Sequence, residues 1–420
     1  MKPAWLAPLR HRSFRYFLIA AVISMVGDGM WMVALPWVAI QAGGDGSDLA
    51  VIFTAGSAGM ISCLLVGGAL ADRCARRTII MSAYAVSLVA LCLLAFSYTP
   101  GRDSLWKLVA VEFVLGACAS IRAPATSTFV PEIVPESDLR LANSLGMMMR
   151  TFSADMVGAA LGGVVVSTFS PVAVFLADAA SFGVALCFLS AVTSGRPAGR
   201  ERRKRPAGEH VSYREALRYL FGQRWLWTII LWSALGVFLR EGPLMVLLPF
   251  VIKNDMGGGA SDHGAFLAVV GVCELAGPLL LSWRPPPRDV RKWVLVSQTA
   301  AALPLTLIAF VPSVWVLFPV AVLLGCCGSV GSIYWFTFLQ TNVPDTVRGR
   351  VMSFDGFGPL ALVPLSMMLA GLGAGNASAH WYFACAGILP GLLAVVILRW
   401  TLTGTDPLTT EAQGEKVGQQ

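Results

Sequence analysis

Charged residues are scarce in this chain of 420 residues. Asp, Glu, Lys and Arg make up only 13% of it, whereas 56% of the residues are hydrophobic and the mean hydropathy is +0.69. Soluble domains usually carry about 25% charged residues. The composition therefore excludes an ordinary soluble protein.

Signatures of metal, nucleotide and catalytic sites are also absent from the sequence. The nine cysteines include no C-x-x-C spacing, and we interpret them as small packing residues. No segment resembles a P-loop, and no nucleophile–base pair is visible. We therefore expect no cofactor, no metal and no enzymatic activity. Any energy source should be an ion gradient and not ATP.

The chain does contain twelve apolar runs, each close to the length of about 20 residues that spans a bilayer as a helix. They are residues 16–41, 50–72, 78–98, 105–128, 143–168, 170–193, 225–253, 262–283, 292–312, 314–340, 350–373 and 380–400. Lipid offers no hydrogen-bond partner to the backbone, so each run should be helical. We predict an all-α integral membrane protein. We expect no cleavable signal peptide, because the first run is too long and lacks a cleavage site.

The placement of Lys and Arg predicts the orientation. With a cytoplasmic N-terminus, 25 of these residues lie inside and three lie outside, namely Arg102, Lys107 and Lys253. Both termini should therefore be cytoplasmic, in a bacterial inner (plasma) membrane. The net charge of +7 then reflects membrane orientation, and we expect no nucleic-acid partner.

The two halves of the sequence resemble each other. Residues 27–38 return as 240–251, and 134–137 return as 343–346, at offsets of 213 and 209 residues. Parallel repeats of this kind predict a transporter with two pseudo-symmetric six-helix bundles. We assign the bundles to residues 1–193 and 225–400, a basic cytoplasmic linker to 194–224, and a disordered cytoplasmic tail to 401–420. The linker should include a helix on anionic headgroups near 211–221; a regulatory or partner site is the alternative.

The loop after the second run reads G-A-L-A-D-R-C-A-R-R over residues 68–77. It resembles the G-x-L-A-D-R-x-G-R-R signature of the major facilitator superfamily, with Ala75 where the family has Gly. The resemblance implies a cytoplasmic latch between this loop and the start of the eleventh helix. The latch residues so implied are Gly68, Asp72, Arg73, Arg76, Arg77, Arg348 and Arg350.

A second motif lies in the fifth run. Gly158, Gly162 and Gly163 resemble the G-P-x-x-G-G signature of the superfamily's antiporters, with Ala159 in place of Pro. Ordinary close packing of small residues is the alternative interpretation. In the fourth run, Glu112 stands where drug antiporters of this superfamily often have Arg.

With these motifs, residues 10–400 resemble the drug:H+ antiporter-3 branch of the superfamily, which includes macrolide-efflux, enterobactin-exporting and lysophospholipid-transporting proteins. The resemblance implies alternating access by a monomer in contact with membrane lipids. It also implies that helices 1, 2, 4, 5, 7, 8, 10 and 11 line the pathway.

Ionisable residues inside the apolar runs are the candidate site residues, because charge at that depth is costly. For proton coupling or substrate binding they are Asp28, Glu241, Asp155, Glu112, Glu274 and Asp355; for cavity ion pairs they are Arg122, Arg150 and Arg240. Asp28 is the first choice. Each of these can instead be a structural ion pair. Trp31 and Trp335 are candidates for an aromatic cavity wall. Asp178 lies on the peripheral sixth helix and is interpreted as structural.

The function predicted is proton-coupled export of an amphipathic small molecule such as a drug, an antibiotic or a siderophore. A lipid or lysophospholipid transporter is one alternative, and it predicts a cavity open sideways to lipid. A non-transporting sensor or scaffold is another, and it predicts that function depends on the linker and not on Asp28 and Glu241. The substrate itself stays open.

Overall fold

The structure is a computed structural model that describes residues 4–193, 213–282, 287, 289–373 and 378–402. The regular structure within these ranges is helical, and twelve helices are long and apolar enough to cross a membrane. The predicted all-α fold with twelve spans is confirmed. The predicted tail after residue 402 and linker residues 194–212 lie outside the described residues.

We number the membrane helices α1 to α12. They are α1 Arg12–Gln41, α2 Gly46–Arg73, α3 Arg76–Ser97, α4 Asp103–Ile133, α5 Glu136–Thr168, α6 Pro171–Ser190, α7 Arg224–Asn254, α8 Ala260–Ser282, α9 Val290–Phe310, α10 Val314–Asn342, α11 Asp345–Leu372 and α12 Ser378–Leu402. Helices α5 and α7 include π-helical segments, Thr151–Gly158 and Pro243–Leu247. A short helix, Tyr213–Gly222, precedes α7 in the predicted linker.

Several helices begin before their apolar runs. Helix α5 starts at Glu136 after Pro135, and α11 starts at Asp345 after Pro344. Acidic residues in a first turn are favourable beside the positive end of the helix dipole. Hydropathy detects only the apolar centre of such a helix, so the predicted starts at 143 and 350 were late.

Helix α2 begins at a capping box. The hydroxyl of Ser47 and the backbone N–H of Asp48 donate to the Asp45 carboxylate, and the side chain of Asp48 accepts from the Asp45 N–H. These hydrogen bonds lower the pKa of Asp45 below its ordinary value. The cap fixes where the chain re-enters the bundle after α1.

Each half repeats the same helix pairs. In the first half α2 packs along α4, and α3 packs against α4 and α6; in the second half α8 packs along α10, and α9 packs against α10 and α12. The approach of α2 to α4 depends on glycine, because a Cβ on Gly116 would collide with the carbonyl of Gly56, and one on Gly59 with the carbonyl of Phe113.

The halves meet through α5 with α8 and through α2 with α11. A Cβ on Gly163 would lie 2.7 Å from the carbonyl oxygen of Ala260, and one on Gly371 would collide with Ala50. We call the end of the molecule that carries these four residues the closed end.

A hydrogen bond also joins the halves at the closed end. Trp37 Nε1 on α1 donates to His263 Nδ1 on α8 at 3.3 Å, and both side chains are buried. His263 stands in the first turn of α8, at the edge of its apolar run. Because both side chains are buried, water does not compete for this hydrogen bond. The bond therefore helps to hold α1 against α8, beside the close contact of Gly163 with Ala260.

The halves diverge toward the other end. On α5, the backbone of Asp155 lies against Gly271 of α8. Phe152 and Met148, which precede Asp155 on α5 toward that end, are 39% and 48% exposed. We call this the basic end, since the loops there carry most of the arginines.

Replacing Gly163 by Leu should weaken the closed end, because the side chain has no room beside Ala260. The population with a wide separation at this end should rise several-fold. Spin labels at the exposed positions Val51 and Met368, in a cysteine-free background, would measure that separation by pulsed electron resonance. Gly146→Leu on the same helix is the control, since no atom lies within 4 Å of its Cβ. Equal distance distributions for the two variants would contradict the conclusion that the contact at Gly163 keeps the closed end shut.

Candidate functional site

Asp28, the first candidate from the sequence, is in an ion pair within the first bundle. Arg122 Nη2 on α4 donates to Asp28 Oδ2 on α1 at 3.3 Å. The guanidinium also lies over the ring of Tyr84, 4.8 Å from its centroid, and the Tyr84 hydroxyl hydrogen-bonds to Ser24 at 2.9 Å. Arg122 is thereby fixed between α1, α3 and α4 by a carboxylate and an aromatic ring.

The glycines beside Asp28 bring α1 close to two neighbours. A Cβ on Gly27 would collide with Asp178 and Ser181 of α6, and one on Gly29 would collide with the carbonyl of Ala154 in α5. The short sequence Gly27-Asp28-Gly29 therefore places the backbone of Asp28 where α1, α5 and α6 converge.

Asp178 joins this site although the sequence interpretation treated it as structural. Its side chain is 1% exposed; the Ser181 hydroxyl donates to Oδ1 at 3.2 Å, and Oδ2 has no hydrogen-bond partner among the described residues. It interacts electrostatically with Asp28 and Arg122. The signal in the sequence was its position in the middle of an apolar helix.

Glu112 completes the group. Trp31 Nε1 donates to Glu112 Oε2 at 2.7 Å, and Glu112 interacts electrostatically with Asp28. Trp31 itself is only 6% exposed and packs against Phe175, so its ring is part of the bundle core. We call Asp28, Glu112, Asp178 and Arg122 the N-terminal cluster: its three carboxylates interact with one another, and its one guanidinium interacts with Asp28 and Asp178.

A second group of charges lies where the halves meet. Glu274 on α8 interacts electrostatically with Asp155 and Arg150 on α5 and with Arg240 and Glu241 on α7. Arg240 Nη2 and Glu241 Oε1 are 2.8 Å apart, which makes these adjacent residues an ion pair. We call these five residues the interface cluster. Because it draws on both halves, a change in their separation changes its charge contacts.

Asp355 stands apart from both clusters. Trp335 Nε1 on α10 donates to its two carboxylate oxygens at 3.0 and 3.1 Å. Both residues line a cavity of about 290 Å³ between α7, α9, α10 and α11. Trp335 thus borders this cavity.

The three glycines of the antiporter-like motif are packing positions on two faces. A Cβ on Gly158 or Gly162 would lie 2.6 Å from carbonyl oxygens of Val26 or Met30 in α1. Gly163 faces α8 at the closed end. The motif therefore holds α5 between α1 and α8, beside both charge clusters.

Two of the latch arginines, Arg76 and Arg77, bind within the first half. Arg76 pairs with Glu132 of α4, and Arg77 donates to the carbonyls of Leu189 and Ser190 of α6. Arg348 Nε donates to the Val343 carbonyl at 3.0 Å, and Arg350 is partly buried in α11. The surroundings of Gly68 and the side chains of Asp72 and Arg73 lie outside what the structure describes.

Comparisons with known proteins agree with this architecture. Residues 3–416 match the family described as transmembrane secretion effector. The multidrug efflux pump Tap of Mycobacterium tuberculosis is 27% identical over 400 residues, which cover 90% of this chain and 91% of that protein. The enterobactin exporter EntS of Escherichia coli is 27% identical over 423 residues, covering 95% and 96%. The crystal structure of a bacterial homologue of the iron transporter ferroportin, in an inward-facing state, superposes with a TM-score of 0.71 at 16% identity, covering 92% and 98%. The last of these shows the fold alone.

Proposed function

Because this chain belongs to the transmembrane secretion effector family of the major facilitator superfamily, we propose that it exports an amphipathic small molecule in exchange for protons. It is a multi-pass protein of the bacterial cell membrane. The family and the names of the relatives support export of a drug, an antibiotic or a siderophore. One molecule supplies both halves of the pathway, so the proposed working unit is a monomer in contact with membrane lipids.

The observation that carries proton coupling is the charge count of the N-terminal cluster. Its three carboxylates, Asp28, Glu112 and Asp178, interact with one another, and Arg122 is the one cation of the cluster. An excess of negative charge inside a membrane helix bundle is costly, and a bound proton removes part of it. Asp28 is the carboxylate in contact with the cation, so protonating it loosens the ion pair. We propose that loss and re-formation of this pair couples proton binding to movement of α1.

The interface cluster is the proposed link to substrate movement. Glu274 and Asp155 belong to different halves and interact with Arg150 and Arg240. With the orientation that the Lys and Arg placement predicts, the closed end faces outward and the basic end faces the cytoplasm. Rocking the halves about this cluster would open the closed end and expose the pathway to the outside. Arg348, Arg350 and the loop of residues 68–77 would then form the proposed latch at the basic end.

Drug accumulation in hypersensitive bacteria tests the proposed function. Cells with the wild-type protein should accumulate less of some amphipathic dyes or antibiotics than cells with empty vector. An uncoupler should cancel the difference, whereas depleting ATP with the proton gradient kept intact should not. A difference that survives the uncoupler would contradict proton coupling.

A lipid transporter is the second candidate, and one observation favours it. A groove of about 360 Å³ runs between α2 and α11 near the closed end, lined by small and apolar side chains such as Ala50, Thr54 and Ala58. Met368 and Leu372, which also line it, are 50% and 78% exposed, so the groove opens at the outer surface of the bundle. Movement of a fluorescent lysophospholipid across vesicles that lack a proton gradient would favour this candidate. Its absence, with gradient-dependent drug transport, would favour export.

A further inference from the structure

We propose that the cavity between α7, α9, α10 and α11 is a loading site for organic cations, at which a positively charged head binds Asp355 and the rings around it. This proposal rests on the proposed function and names its substrate class. It concerns the second bundle and is separate from the N-terminal cluster. The lining residues that carry the argument are Trp232, Gln298, Trp335, Phe336 and Asp355.

The cavity has a negative wall. Among its lining residues, Asp355 is the charged one; the others are apolar, aromatic, small or neutral polar. The indole N–H of Trp335 binds both carboxylate oxygens and so fixes the side chain in place. One indole N–H leaves lone pairs of the carboxylate available to a ligand. A cation gains from this arrangement, whereas an anion would be repelled.

The aromatic walls suit the same ligand. Trp232 is anchored by a hydrogen bond of 2.9 Å from its Nε1 to the carbonyl of Pro390 on α12, so its ring cannot turn freely. Trp335 is anchored by Asp355 and is 6% exposed. Tryptophan faces attract alkylammonium groups, and the attraction grows when water is excluded. Two fixed indoles beside one carboxylate are therefore the chemistry that recognises an organic cation.

The size and position of the cavity indicate where the ligand enters. A volume of about 290 Å³ is at the lower limit of ligand sites, which are usually about 300–1,000 Å³. It holds a charged head with one ring, and the remaining apolar part would extend past Phe336, which is 48% exposed. The lining residues come from the early part of α7, α9 and α11 and the late part of α10, all toward the basic end. A substrate would reach it from the predicted cytoplasmic side before the central pathway.

Binding of benzyltrimethylammonium to the purified full-length protein tests the site. The control ligand is neopentylbenzene, which has nearly the same shape and no charge. The wild type should bind the cation more tightly than the uncharged compound. Asp355→Asn should weaken cation binding roughly tenfold, as expected for loss of a partly buried charge partner. It should leave binding of neopentylbenzene unchanged.

Two further variants separate binding from folding. Trp232→Leu removes a ring and should weaken cation binding roughly fivefold. Asp103→Asn, at an exposed acidic residue of α4, should change neither ligand's affinity. Equal affinity of the wild type for both ligands, or equal losses for both in Asp355→Asn, would overturn the proposal.

Export measurements distinguish failure of this site from failure of the proposed function. If the wild type exports cations from cells while Asp355→Asn binds and exports them normally, the loading site is wrong and export stands. If the wild type binds the cation through Asp355 but exports nothing, the site stands and the proposed function is wrong.

Discussion

Asp28→Asn is expected to stop proton-driven export while leaving the protein folded. Asn cannot carry the charge that pairs with Arg122, so a proton no longer competes with that cation for the side chain. Coupling between two ligands usually changes the affinity of one by a factor of roughly 5 to 150 when the other binds, so in this variant protonation should no longer change substrate affinity by such a factor. Asp178 still interacts with Arg122, so the bundle retains a negative partner for the guanidinium.

The export rate of Asp28→Asn should be measured in drug-hypersensitive cells at matched expression, with and without an uncoupler. Asp103→Asn makes the same chemical change at an exposed position and should behave as wild type. Size-exclusion elution of the two purified variants checks that both are folded. Full, uncoupler-sensitive export by Asp28→Asn would show that the ion pair is structural.

Gly116→Ala is expected to destabilise the first bundle strongly. The new methyl group would collide with the carbonyl of Gly56, and two helix backbones would have to move apart along the contact of α2 with α4. Overpacking of this kind costs about 1–3 kcal/mol. The expected result is a lower thermal transition in detergent and a lower yield of membrane-inserted protein.

Gly183→Ala is the matched control for that variant. Gly183 lies on α6, and no atom lies within 4 Å of the position its Cβ would take. Alanine favours the helix over glycine by up to about 1 kcal/mol, so this variant should be as stable as wild type or more so. A Gly116→Ala protein as stable as Gly183→Ala would contradict the close approach of α2 and α4.

Much of the fold could be predicted from hydropathy and the internal repeat. The apolar runs locate twelve helices because every spanning segment must satisfy its own backbone in lipid. The starts of α5 and α11 were missed, because Glu136 and Asp345 begin those helices with polar turns. The cap at Asp45 and the π-helical segments leave no periodic signal that hydropathy can detect.

The site was less accessible from the sequence. Asp28 itself could be predicted without knowledge of its partners, because a carboxylate in the middle of an apolar helix is unusual. Its contact with Arg122 joins residues 94 positions apart, and the positions of Tyr84 and Asp178 depend on how α1, α3 and α6 pack. The cavity beside Asp355 likewise needs four helices at once. Which side chains of different helices meet depends on how each helix is rotated about its own axis. The composition of the sequence does not determine that rotation.

Substrate-driven proton movement in proteoliposomes tests the central claim most directly. Purified protein would be reconstituted with a pH dye inside the vesicles, and an exported compound from the cell assay would be placed on one side only. The account predicts that the substrate gradient moves protons in the opposite direction in the wild type and in Asp103→Asn, but not in Asp28→Asn. Substrate transport without proton movement in the wild type, or equal proton movement in Asp28→Asn, would contradict it.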